Sequence, residues 1–103
     1  KDANLLAINS LKGQFDCVIG HSDHTSGIAV PLYAASMGAQ VFEKHYMIDD
    51  NFNCVDKPVS ITEEQMSYFI SNLKELEKIL GNGVVSLTEP QKEAVQFRRV
   101  REF

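Results

Sequence analysis

Apolar and polar residues alternate in blocks along the first half of the chain, and the blocks indicate two helices, each followed by a strand. The first helix precedes an apolar stretch at 16–20, and a second helix at 28–37 separates this stretch from another at 40–46. The connection between the two apolar stretches is too long for a hairpin and suits a right-handed parallel crossover. The pattern therefore predicts a βαβ unit.

Local signals predict where these two helices begin and end. Asp2 is suited to cap the first helix, and Gly13 offers the left-handed residue that would stop it. Thr25, with the serine after it, offers a cap for the second helix, and Gly38 follows its last turn.

The second half of the chain contains a clear signal for one longer helix. Thr62 and Gln65 have the spacing of a capping box, and Gly81 follows the last apolar position. Between them, apolar residues recur at helical spacing. They are Met66, Phe69, Ile70, Leu73, Leu76 and Leu80. The remaining residues, 84–103, mix charges with a proline and are predicted to form a linker with a short helix near 91–98.

The order helix, strand, helix, strand, helix predicts an α/β fold. Residues 1–83 carry these elements, and at 103 residues the chain holds one domain at most. Two parallel strands alone do not form a stable sheet with both faces covered. Because the chain also begins without a methionine, we expect it to be a piece of a larger protein.

Composition narrows the class of function. The chain is 44% hydrophobic and 23% charged, with a net charge of -4, which argues against a nucleic-acid-binding protein. No apolar run approaches the roughly 20 residues that a bilayer-spanning helix needs, so we expect a soluble, cytoplasmic protein. Cys17 and Cys54 fit no zinc spacing and are expected to be free thiols.

Two polar clusters, at 20–25 and 43–45, directly follow the predicted strands. Parallel strands place their carboxyl ends at one edge of a sheet, where α/β folds have their active sites. Since side chains alternate along a strand, four of them are predicted to share one face. These are Ser22, His24, Glu43 and His45. Two imidazoles with a nearby carboxylate suit a divalent metal, with manganese, zinc or iron fitting imidazole better than magnesium.

Each of these residues also has a structural interpretation. A histidine at a strand end is often only hydrogen-bonded packing, and Ser22 can hold a phosphate near a helix start or be a plain turn residue. Glu43 can orient a water molecule or a substrate hydroxyl, or pair with a lysine elsewhere. Asp56, in the loop after the second strand, can bind hydroxyls of a polar substrate or be an ordinary loop aspartate. His21 has the opposite alternation and stays unassigned.

The motifs Gly-His-Ser-Asp-His-Thr at 20–25 and Glu-Lys-His-Tyr at 43–46, with His45 following His24 by 21 positions, resemble the sialic acid (N-acetylneuraminate) synthase family. The resemblance extends from the first helix to about residue 99 and corresponds to the C-terminal part of that family's catalytic TIM (β/α)8 barrel. It implies condensation of phosphoenolpyruvate with an N-acetylmannosamine-like sugar aldehyde, which gives a nonulosonic acid and phosphate.

The resemblance also implies a role for each candidate residue. His24 and His45 would bind a divalent metal, commonly Mn²⁺, and Ser22 would contact the phosphate of phosphoenolpyruvate. Glu43 would be the catalytic carboxylate beside the metal, and Asp56 would bind the acceptor sugar. The family usually carries Pro-Gly-Pro-Asp at this loop, whereas residues 53–56 are Asn-Cys-Val-Asp, so the acceptor stays open.

Family members are homodimers in which a C-terminal antifreeze-like domain completes the partner's site. The resemblance therefore implies a homodimeric parent protein, with 84–103 as a linker toward that domain, and an isolated chain without activity. Two alternatives remain at this stage: another metal-dependent, phosphate-handling TIM-barrel aldolase, and a non-catalytic α/β interaction module in which the histidines merely pack.

Overall fold

The structure, a computed structural model, describes residues 2–48, 51 and 53–95. The elements follow the predicted alternation of helices and strands. In chain order they are α1 (Leu6–Gln14), β1 (Gly20–Asp23), α2 (Ala29–Ser36), β2 (Val41–Lys44), a 3-10 turn (Lys57–Val59), α3 (Glu63–Leu80) and α4 (Glu89–Val95).

The two strands are parallel neighbours, and α2 forms the crossover between them. The register places Ser22 opposite Glu43 and Asp23 opposite Lys44. A single parallel bridge between Tyr46 and Ile61 continues the pairing beyond β2. The predicted α/β unit with parallel strands is thus confirmed.

The first strand lies later in the chain than the hydrophobic pattern predicts. Residues 16–19 are outside the regular ladder, and they contribute one hydrogen bond to it, from the Gln40 N–H to the Ile19 carbonyl at 2.8 Å. The polar residues of 20–23 form the strand instead, and the side chains of Ser22 and Asp23 bond across to β2. The second strand is also shorter than the predicted 40–46.

Three predicted helix signals are wrong. Helix α1 begins after Leu5 with no side-chain cap, so Asp2 does not cap it, and Gly13 lies inside the helix without a positive φ. Helix α2 also begins without a side-chain cap, because the Thr25 hydroxyl donates to a neighbouring carboxylate instead. Gly38 does follow α2 as predicted, with a φ of 104° that favours glycine.

The longer helix agrees with its sequence signals. The Gln65 N–H donates to Thr62 Oγ1 at 3.3 Å, and the Gln65 side chain accepts from the Thr62 N–H at 2.9 Å, which completes the capping box. Gly81, with a φ of 66°, follows the last turn. Helix α4 starts at Glu89, two residues before the predicted position. Residues 96–98 of that predicted helix lie outside the described residues.

The helices cover one face of the two-stranded sheet. A small core forms between α1, α2 and the strands. Its buried members are Ile8, Ile19, Ala34 and Ala39. Helix α3 packs through Phe69, whose ring meets that of Phe42 edge to face with 5.8 Å between centroids.

Alternation along the strands separates this helix-covered face from an open face. The helix-covered face carries His21, Asp23, Phe42 and Lys44, which are buried or half-buried. The open face carries Gly20, Ser22, Val41 and Glu43, which are exposed. None of the helices in the described ranges is both long and apolar enough to cross a bilayer.

Candidate active site at the strand ends

The four side chains predicted to share a face form two contacting pairs in the structure. Ser22 and Glu43 lie opposite each other in the ladder, and Ser22 Oγ donates a hydrogen bond to Glu43 Oε1 at 2.7 Å. One step further along, the rings of His24 and His45 meet edge to face with 5.0 Å between centroids. The alternation argument therefore correctly predicted their proximity, and their chemical roles stay a prediction.

The separation of the two imidazoles suits a shared metal ion. A metal bound at about 2.1 Å by one nitrogen of each ring would lie roughly 3.2 Å from each ring centre, so bond angles of about 90 to 110° would place the centroids about 4.5 to 5.2 Å apart. The observed 5.0 Å lies in this range. Within the described ranges no cluster of three or more His, Cys, Asp or Glu side chains could hold a metal, so this pair would leave coordination positions open.

Asp56 reaches the same site from the loop after β2. Its Oδ2 lies 3.5 Å from Nδ1 of His45, an ion-pair distance that is longer than a good hydrogen bond. A carboxylate beside Nδ1 favours the tautomer in which Nε2 is the free nitrogen, as second-shell carboxylates do at metal-binding histidines. The Asp56 side chain is 59% exposed, so it is also open to a ligand.

A cavity of about 620 Å³ adjoins the end of β1. It is lined by residues 2–3, just before α1, and by 21–25. This volume is in the range of small-molecule binding sites, and polar side chains dominate the lining. The lining includes Ser22 and His24 but not Glu43 or His45, so the cavity adjoins only the β1 side of the candidate site.

On the helix-covered face a buried ionic cluster lies directly behind these residues. Asp23 and Lys44 are 1% and 2% exposed, and Lys44 Nζ donates to Asp23 Oδ2 at 2.7 Å. His21 Nε2 donates to Asp23 Oδ1 at 2.9 Å. The Thr25 N–H and hydroxyl donate to the same carboxylate at 3.0 and 2.8 Å. Lys44 Nζ also donates to the Thr25 carbonyl.

This cluster keeps Asp23 ionised. Burial by itself would raise the pKa of Asp23, but the hydrogen bonds from Lys44, His21 and Thr25 outweigh burial and lower the pKa from 3.8 to about 2. A buried carboxylate with four donors is stable only while those donors remain in place.

Reasoning from the sequence missed the importance of Asp23, Lys44 and the unassigned His21. The signal that would have revealed the cluster is the 21-residue separation of the two motifs, which places Asp23 opposite Lys44 just as it relates His24 to His45. An acid and a base in opposite positions on a face covered by helices predict a buried ion pair.

Residues 1–85 match the sequence model of the NeuB family, which is most of the chain. The chain belongs to the NeuB family. The family resemblance inferred from the two histidine motifs is therefore confirmed.

Relatives within the family are synthases of acidic sugars. The chain is 39% identical over 83 residues to the N,N'-diacetyllegionaminic acid synthase of Legionella pneumophila, with 81% of this chain and 23% of that protein covered. It is 31% identical over 98 residues to the enzyme of the same name from Campylobacter jejuni, with 95% and 29% covered. The chain thus spans between a fifth and a third of the length of these curated relatives.

Solved structures agree with this family assignment. The fold is similar to that of the N-acetylneuraminic acid (sialic acid) synthetase from Leptospira borgpetersenii serovar Hardjo-bovis in complex with citrate. The two share 35% sequence identity with a TM-score of 0.85, and the match covers 94% of this chain and 34% of that chain. The α/β arrangement with parallel strands is thus shared with a synthetase of this kind.

Proposed function

We propose that this chain supplies the strand-end site of a nonulosonic acid synthase, which condenses phosphoenolpyruvate with an N-acetylmannosamine-like sugar aldehyde. In this reaction the methylene carbon of phosphoenolpyruvate forms a bond to the aldehyde carbon, one water molecule is consumed, and inorganic phosphate leaves. The observation that carries the proposal is the contact between His24 and His45, together with the Ser22–Glu43 hydrogen bond on the same open face.

Each open-face side chain has a proposed role that follows from its chemistry. Ser22 binds the phosphate of phosphoenolpyruvate through its hydroxyl. In the structure this hydroxyl donates to Glu43, and it can rotate to donate to a phosphate oxygen instead. Glu43 orients a water molecule or a sugar hydroxyl by accepting its proton in a hydrogen bond. Asp56, exposed and next to His45, binds hydroxyl groups of the acceptor sugar.

His24 and His45 are proposed to hold a divalent metal, with Mn²⁺ the expected ion. When bound, such a metal supplies Lewis-acid polarisation of the sugar aldehyde. The two imidazoles would hold it at the carboxyl ends of the strands, and Asp56, with Oδ2 3.5 Å from Nδ1 of His45, would help to orient that ring.

The same proposal extends to the assembly. We propose that the βαβ unit is the C-terminal part of a (β/α)8 barrel, that residues 84–103 link it to a further domain, and that the parent enzyme is a cytoplasmic homodimer. The similarity to a sialic acid synthetase over a third of that chain supports the barrel. An isolated chain of this length would lack the other strands of the barrel and is expected to be inactive.

A product assay on the full-length protein tests the reaction. Phosphoenolpyruvate and N-acetylmannosamine, and then related amino-sugar aldehydes, are supplied with Mn²⁺. Free phosphate together with a nine-carbon keto acid supports the proposal. Cleavage or formation of a phosphorylated aldol with no release of phosphate would instead identify an aldolase.

A metal titration tests the site separately. Mn²⁺ binding is measured by electron paramagnetic resonance for the wild type, His24→Ala and His45→Ala. The Mn²⁺ affinity of each alanine variant is expected to fall more than about 100-fold. This loss is larger than the loss caused by removing a group that only supports a metal ligand. The matched control is Ser71→Ala on the exposed side of α3, which lies outside both the proposed site and the buried cluster and should retain binding. Unchanged affinity in both alanine variants would contradict the metal site.

A further inference from the structure

The ionic cluster on the helix-covered face is formed by residues next to both candidate metal ligands in the chain. Asp23 and Thr25 flank His24 in the chain, and Lys44 directly precedes His45. The open-face site and the buried cluster thus use alternate residues of the same two segments.

The cluster fixes the backbone on each side of His24. Asp23 accepts from both the N–H and the hydroxyl of Thr25, which closes a tight turn around the intervening residue. Within the described part of the chain, the His24 side chain forms no hydrogen bond of its own, and its ring contact is with His45. The position of the His24 ring therefore depends on the backbone that Asp23 and Thr25 hold.

Lys44 joins this turn to the second strand. Its ammonium group donates to the Asp23 carboxylate at 2.7 Å and also to the Thr25 carbonyl. The Lys44 side chain is only 2% exposed, so these hydrogen bonds replace the water molecules that would otherwise solvate its charge. The residue directly after β2 is His45, whose carbonyl accepts the Ile61 N–H at 2.9 Å.

We propose that Asp23 and Lys44 are positioning residues, which together set the distance between His24 and His45 from the opposite face of the strands. This inference rests on the proposed metal site and adds to it two residues that touch neither metal nor substrate. Loss of the bond between them would leave both imidazoles present but no longer matched to one ion.

Mn²⁺ affinity of the full-length protein is the measurement that tests this inference, and Asp23→Asn is the principal variant. We expect about tenfold weaker binding, the size of effect that supporting groups around metal ligands have. The double variant Asp23→Asn/Lys44→Gln replaces the ion pair by two amides that can still bond across the strands. It is expected to recover most of the affinity.

Ile8→Ala is the matched control for a purely structural effect. Ile8 is buried in the core under α1 at 4% exposure and lies away from the cluster, so its truncation lowers stability without touching the turn. We expect its Mn²⁺ affinity to equal that of the wild type at a temperature where circular dichroism shows both to be folded. If Asp23→Asn does not fold, Thr25→Val removes one donor and should show a smaller loss of affinity.

The outcomes separate this inference from the proposed metal site. Unchanged Mn²⁺ affinity in Asp23→Asn, with binding lost in His24→Ala, would overturn the positioning role and leave the metal site intact. A double variant that binds no better than Asp23→Asn would also overturn it, because the loss would then not depend on Lys44. If the wild type binds no Mn²⁺, the metal site and this inference fail together.

Discussion

The open and helix-covered faces of the two strands use their polar residues in opposite ways. On the open face Ser22 and Glu43 are exposed and share one hydrogen bond. On the covered face Asp23 is 1% exposed and accepts from Lys44 and two further residues. Adjacent positions of one motif therefore have different physical environments, because successive side chains of a strand point to opposite faces.

This difference determines which substitutions affect stability and which affect ligands. Removing one partner of a buried ion pair leaves the other charged and without water, which costs far more than losing an exposed hydrogen bond. The covered face should thus be sensitive in unfolding experiments and the open face in binding experiments. Substitutions in the full-length protein can test this division, beginning with the one that should have the largest effect.

Lys44→Met should cause the largest loss of stability. It leaves the Asp23 carboxylate buried without its principal counter-charge, and such a loss costs about 3 to 5 kcal/mol in the free energy of unfolding. Urea denaturation measures the effect. Lys74→Met on the exposed side of α3 is the matched control and should change stability by less than about 0.5 kcal/mol. Equal effects from the two substitutions would remove the distinction between the faces.

Acid titration of the folded protein should show the same difference between the helix-covered face and the open face. The pKa of Asp23 is lowered from 3.8 to about 2, so its ionised form stabilises the folded state above the unfolded pKa, and this contribution is lost as pH falls through 2. At 1.36 kcal/mol per pKa unit the contribution is about 2 kcal/mol.

The measurement compares the unfolding free energies of the wild type and Asp23→Asn in metal-free buffer. The advantage of the wild type should be about 2 kcal/mol smaller near pH 2 than near pH 5. A matched pair on the open face, wild type and Glu43→Gln, should show no comparable change. A wild-type advantage that stays constant down to pH 2 would show that Asp23 is not held ionised by its neighbours.

Thr62→Ala gives a reference loss of stability at a site outside both faces of the strands. The substitution removes the side-chain acceptor of the capping box at the start of α3, and loss of such a cap costs about 1 kcal/mol. Thr62→Ser keeps the hydroxyl and should restore most of the stability. A loss as large as that of Lys44→Met would mean that the chain responds to any substitution with similar sensitivity.

The capping box shows what sequence patterns predict well. Thr62 and Gln65 interact within a single turn, so their spacing alone specifies the contact, and the helix and its end at Gly81 follow from it. The approach of His24 to His45 was also predictable, because it follows from strand alternation and a parallel crossover. Each depends on local geometry repeated along the chain.

The features that were mispredicted depend on competition between partners. Thr25 is a residue type that often caps helices, but its hydroxyl donates to Asp23 instead. This choice of partner depends on a carboxylate that only the fold buries. The strand at 16–20 was predicted from apolar character, whereas cross-strand polar pairs place it at 20–23. Such choices depend on which partners the fold brings together, and local patterns of apolar and polar residues do not specify these partners.

Ser22→Ala should have the smallest effect on stability and thereby mark the open face most clearly. The Ser22 hydroxyl is exposed and its bond to Glu43 can be replaced by water, so the free energy of unfolding should change by less than about 0.5 kcal/mol. The KM for phosphoenolpyruvate should nevertheless rise several-fold, while Ser71→Ala on the exposed side of α3 changes neither quantity. A destabilised Ser22→Ala protein with an unchanged KM would assign this serine to the fold instead of the ligand, and the division between the two faces would then fail at the residue next to Asp23.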